Sequence, residues 1–156
     1  MFERIRSLIE LKAGIFDCFT TESLEVIAIA ESEARSLRHC FIGTEHILLG
    51  LIAEREGMAG QVLTAHGVEL GKARLEVARL RGASKARIPT ELPFTPSAKR
   101  LLEEALKQSK SSGLSYVCTE HLLLALITPE RGASVKVLRD LGISLDNLTA
   151  DLKTGS

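Results

Sequence analysis

The chain writes one phrase twice. FIGTEHILLGLI at residues 41–52 returns as YVCTEHLLLALI at residues 116–127, an offset of 75 that needs no gap. Phe19-Thr20 returns as Phe94-Thr95, and Thr44-Glu45-His46 returns as Thr119-Glu120-His121. Between residues 41 and 70, 12 of 30 positions are identical to their partners 75 residues on. Such self-similarity limits the fold to two copies of one supersecondary unit sharing a core. A length of 156 residues leaves room for little else.

Each copy reads as four helices with short connections. The first runs from about Thr21 to Leu37, with Leu24, Ile27, Ala28, Ala30 and Ala34 at approximately helical spacing. Its copy opens on Thr95-Pro96, a capping hydroxyl followed by proline in the first turn, and continues to about Ser111. The second begins after Thr44 and ends before Gly57; its copy begins after Thr119 and ends near Pro129. The third covers Met58 to Ala65 and Ala133 to Asp140, each followed by a glycine, Gly67 or Gly142, suited to a left-handed cap. The fourth runs from about Glu69 to Arg81, and from Leu145 to about Leu152. No sustained period-two alternation and no hairpin dipeptide signals a strand. The spacing of Ile5, Leu8, Ile9 and Leu11 predicts a short amphipathic helix that Gly14 breaks.

The expected architecture is therefore all-α: two tandem pseudo-twofold-related four-helix repeats plus a short N-terminal helical extension. The divisions are residues 1–18 for the extension, 19–81 and 94–153 for the repeats, and 82–93, GASKARIPTELP, for a surface linker.

Composition removes several function classes. Twenty basic residues balance twenty acidic ones, so bulk charge draws the chain to neither nucleic acid nor an acidic membrane. Aromatics are 4% with no tryptophan, too few for a base-stacking platform. Three cysteines, Cys18, Cys40 and Cys118, with no CxxC, argue against a disulfide framework and for a reducing compartment. The apolar runs are too short to span a bilayer. His39, Cys40 and His46 match no standard zinc spacing. No GxxxxGK[ST] phosphate loop occurs, and no cofactor is expected. The only Cys-His pairing a hydrolase could use is Cys118 with His121, and the first copy has Gly43 in place of Cys118.

The duplicated Thr-Glu-His has a plain explanation. Thr44 and Thr119 stand where a hydroxyl can cap a helix, Glu45 and Glu120 lie at the favourable end of its dipole, and His46 and His121 can bond within the unit.

Phe-Thr, a helix, GTEHILLGL, then a glycine-bounded short helix, duplicated around a linker, resembles the Clp N-terminal repeat domain of the ClpC branch of unfoldases. The resemblance covers roughly Phe19 to Leu152. It implies a non-catalytic protein that binds the Clp AAA+ unfoldase or its ClpP-type protease core and modulates assembly or substrate delivery, in the cytoplasm or a plastid stroma. The insertion from Ile5 to Cys18 and the ending TGS favour a stand-alone accessory protein over an N-domain cut from an unfoldase. The resemblance also implies a ligand pocket in each repeat that receives adaptors or phosphoarginine-tagged substrates: Thr20 with Glu45, and Thr95 with Glu120. A carboxylate can grip a guanidinium, and a helix N-terminus with a hydroxyl suits phosphoryl oxygens. Cys118 and Ala125 depart from the family's glycines at those positions.

Overall fold

The computed structural model describes residues 14–154. The expected helix over residues 5–13 lies outside the described residues. Among those described, a 3-10 turn (Ile15–Cys18) precedes eight α-helices: α1 (Thr21–Ser36), α2 (Thr44–Ala53), α3 (Met58–Ala65), α4 (Leu70–Leu80), α5 (Pro96–Ser111), α6 (Thr119–Ile127), α7 (Ala133–Asp140) and α8 (Leu145–Thr154). The fold is all-α, four helices to each repeat.

The first helix of each repeat starts as its sequence predicts. The Thr20 hydroxyl accepts from the Ser23 N–H, and the Thr95 hydroxyl accepts from the Ala98 N–H, each satisfying an otherwise orphaned donor. Gly67 and Gly142 end α3 and α7 at φ of 82° and 79°, the left-handed geometry a side chain disfavours.

Helices α2 and α6 are apolar around their whole circumference, so neither has a face to spare for water. Ile47, Leu48, Leu49, Leu51, Ile52, Leu122 and Leu123 are fully buried. Each contributes on the order of 1.5–3 kcal/mol by leaving water. Helix α2 packs on α1, α3 and α4 of its own repeat and on α5, α6 and α7 of the other; α6 makes the reciprocal set with α5, α7, α8, α1, α2 and α3. Neither repeat buries its central helix alone, and the two share one core.

Two isolated parallel bridges knit the repeats, and the offset of 75 maps one onto the other: Phe19 with Val117, and Phe94 with Ile42. Thr20 N–H donates to Val117 O, and Thr95 N–H donates to Ile42 O, both at 3.0 Å. Val117 N–H donates to Cys18 O, and Ile42 N–H donates to Pro93 O. This reciprocity is the pseudo-twofold relation in backbone form. The sequence shows no strand signal at these points because each bridge is a single exchange between short extended segments.

The segment joining α4 to α5 is mostly exposed but tethered. Arg35 donates to Pro89 O and Thr90 O, Arg38 to Ala86 O, and Ser84 N–H to Arg38 O, while Leu92 is buried in the core.

Candidate functional site

The phrase Thr-Glu-His heads α2 and α6, and the structure gives each of its residues a separate task. The N-caps are Gly43 and Cys118, so Thr44 and Thr119 are the first helical residues and cap nothing in their own helices. The Thr119 hydroxyl instead accepts from the Ala59 N–H at the start of α3, in the other repeat. The histidines supply the local bond. Gly43 N–H donates to His46 Nδ1, and Cys118 N–H donates to His121 Nδ1, each at 2.9 Å. Each ring folds back from the third helical position to hold the amide of its N-cap residue, as a capping-box side chain does.

The His46 ring goes further. With Nδ1 accepting, its proton sits on Nε2, which lies 2.7 Å from His39 Nδ1. His39 then carries its proton on Nε2, which reaches Arg81 O at 3.0 Å. All four ring nitrogens are engaged with the protein, so neither ring presents a lone pair to a metal ion. Burial above all, with the electrostatic influence of His39 and Arg81 adding to it, lowers the His46 pKa to about 3. His121 is shifted down by burial, with the Glu120 charge opposing.

The two carboxylates differ sharply. Glu45 is 1% exposed. Its carboxylate folds over Gly43, where an added Cβ would lie 1.7 Å from Oε1. Arg81 Nε donates to Glu45 Oε2 at 2.5 Å, and the guanidinium lies 5.0 Å from the centre of the Phe41 ring. In the second repeat Cys118 places a side chain where Gly43 leaves space, and Glu120 remains half-buried. Among the described residues no cation pairs with it. The sequence pattern missed Arg81 altogether. It lies outside the duplicated phrase, and at the same offset position 156 is a serine.

The pairing of threonine with glutamate also changes. Helices α1 and α2 pack antiparallel, with Gly50 near the end of α2 against the Val26 carbonyl near the start of α1. Sixteen residues of helix separate the two ends of α1 by about 24 Å. Thr20 is therefore remote from Glu45. It stands at the head of α6, the helix of Glu120, and Thr95 stands at the head of α2, the helix of Glu45. By these bonds Thr20 shares a helix head with Glu120, and Thr95 shares one with Glu45, each across the repeats. At the α6 head, the Thr20 hydroxyl donates to Ser23 Oγ, whose own hydroxyl donates to Val117 O.

The Cys118–His121 pair has no hydrolase geometry. His121 Nδ1 is spent on the Cys118 backbone amide. Burial, then the Glu120 and Glu22 charges, push the thiol up to about 11, the opposite of what a nucleophile needs.

Comparison with known proteins agrees with this architecture. The family profile described as the Clp repeat (R) N-terminal domain matches residues 18–141 and 94–154. The chain is 41% identical over 138 residues to the ATP-dependent Clp protease ATP-binding subunit ClpA homolog of Porphyra purpurea, covering 88% of this chain and 17% of that protein. It is 43% identical over 135 residues to the chloroplastic ClpA homolog of Brassica napus, covering 86% of this chain and 15% of that one. Among solved structures, the N-terminal domain of the Clp-associated chaperone ClpD from Arabidopsis thaliana superposes with a TM-score of 0.77 at 33% identity, covering 89% of this chain and 97% of that one. With its duplicated helix heads and shared eight-helix core, the chain belongs to the Clp repeat N-terminal domain family.

Proposed function

We propose that this chain is a non-catalytic interaction module of the Clp machinery, binding a Clp AAA+ unfoldase or its protease core and modulating assembly or substrate delivery. The observation that carries the reading is its relation, across most of its length, to the front segment of Clp ATP-binding subunits. No helix among the described residues is long and apolar enough to cross a membrane. The reading takes the compartment to be the cytoplasm, or a plastid stroma as for the chloroplastic relatives. The test is co-elution of the purified chain with a purified Clp ATP-binding subunit, with and without the proteolytic core. Retention on either supports the reading. Independent elution from both sinks it.

A second reading makes the helix heads receptors for adaptors or phosphoarginine-tagged substrates. The buried Glu45 carboxylate, already holding a guanidinium, favours it. In this reading the residues work as the cross-repeat sets Thr95 with Glu45 and Thr20 with Glu120. Loss of tagged-peptide binding in the Glu45→Ala, Glu120→Ala double variant supports it; unchanged binding removes it.

A further inference from the structure

Glu45 sits in a site whose present occupant belongs to the chain itself. The carboxylate is buried, and Arg81 Nε donates to it while the guanidinium lies over Phe41. That combination of a directed Nε–H and a guanidinium over a ring suits arginine better than lysine, whose ammonium is a compact point charge. The occupant is nevertheless loosely placed. The Arg81 side chain is 44% exposed, at the residue where α4 gives way to extended chain (φ −133°, ψ 116°). Its backbone is anchored separately, by its N–H donating to Val77 O and its carbonyl accepting from His39. The side chain can therefore leave Glu45 by a rotamer change with α4 intact.

We propose that Arg81 is an internal latch on the Glu45 site, which an arginine side chain of a partner protein must displace in order to bind there. This rests on the reading of the helix heads as receptors, and it makes them unequal. At the α6 head Glu120 is half-buried beside the Cys118 thiol, and no described cation pairs with it. The α2 head is occupied until Arg81 is outcompeted. The domain then engages one arginine readily and a second only when the ligand is abundant or tethered nearby, since an intramolecular competitor acts at high effective concentration.

The test is a site-resolved NMR titration of the full ¹⁵N-labelled chain with N-acetyl-arginine amide, and in a second arm with phosphoarginine. The amides of Gly43 and Cys118 report on the two heads. In the wild-type chain the Cys118 amide responds first, and the Gly43 amide needs at least about tenfold more ligand. In Arg81→Ala the Gly43 amide responds in the same range as Cys118, and adding Glu45→Gln abolishes that response. Arg81→Gln serves if the alanine variant is poorly folded. Equal Gly43 responses with and without Arg81 overturn the latch and leave the receptor reading standing. A silent Gly43 beside a responsive Cys118 in every variant also overturns the latch, and restricts the receptor to α6. Silence at both heads in every variant overturns the receptor reading and the latch with it.

Discussion

The backbone N–H of Ala59 donates to the hydroxyl of Thr119 across 60 residues of chain, so the first residue of α6 caps α3 in the other repeat. Thr119→Ala should destabilise the fold by about 1 kcal/mol, the usual cost of a lost N-terminal cap, and Thr119→Ser should recover most of it. Thr44, its sequence twin, has no hydroxyl bond among the described residues, and Thr44→Ala should change stability by less than about 0.5 kcal/mol. Urea unfolding of the three variants distinguishes a cross-repeat cap from a local one. Equal losses at Thr44 and Thr119 would contradict it.

Gly43 and Cys118 occupy equivalent positions with opposite demands. A methyl group at 43 meets the Glu45 carboxylate at 1.7 Å, so the carboxylate that Arg81 holds by its other oxygen must move. Gly43→Ala should expel Glu45 and strand Arg81, at a cost of about 2–3 kcal/mol from breaking a buried ion pair whose cation is half in water. The same side chain at 118 is already accommodated, so Cys118→Ala should be nearly neutral. Thermal denaturation reads both; a neutral Gly43→Ala would show that Glu45 does not need its place over residue 43.

His46 is held neutral by burial, and this sets a pH dependence. Its native pKa is about 3, against an ordinary 6.5. Between those values the unfolded chain binds a proton that the native chain refuses. Its contribution is therefore complete above pH 6.5 and declines as pH falls toward 3, with a limiting slope of about 1.4 kcal/mol per pH unit. His121 shifts the same way. Unfolding free energies measured at pH 7, 6 and 5 should fall accordingly, and His46→Gln should flatten the profile. A wild-type profile already flat over that range would mean that the His46 ring is solvated.

The Cys118 thiol, pushed up to about 11, should alkylate slowly at pH 8 in the native chain and rapidly once unfolded in urea. Mass-spectrometric mapping of iodoacetamide adducts resolves the site. Fast native modification at Cys118 would refute the burial-driven shift. In Glu120→Gln the reactivity should rise, because a neighbouring negative charge is removed.

Much of this protein follows from local sequence. The Thr-Pro start of α5, the glycines after α3 and α7, and the uninterrupted apolar runs of α2 and α6 are statements about neighbouring residues. The physics that acts on them, hydroxyl to amide, glycine at positive φ and apolar surface leaving water, operates within one or two turns of helix. The duplicated Thr-Glu-His likewise marked the two helix heads, and its histidines close bonds only three residues long.

What the tertiary structure alone decided is which head meets which partner. Because α1 and α2 run antiparallel, the start of the first helix is carried away from the start of the second. Those starts then find their neighbours in the opposite repeat, Thr20 beside α6 and Thr95 beside α2. The pairing of Glu45 with Arg81 arises in the same way. A buried carboxylate requires a counter-charge, and the nearest guanidinium in space is 36 residues distant in the chain, at a position that the repeat does not duplicate. Periodicity and capping rules see only adjacent turns, whereas desolvated charge answers to whatever the packed core brings within reach.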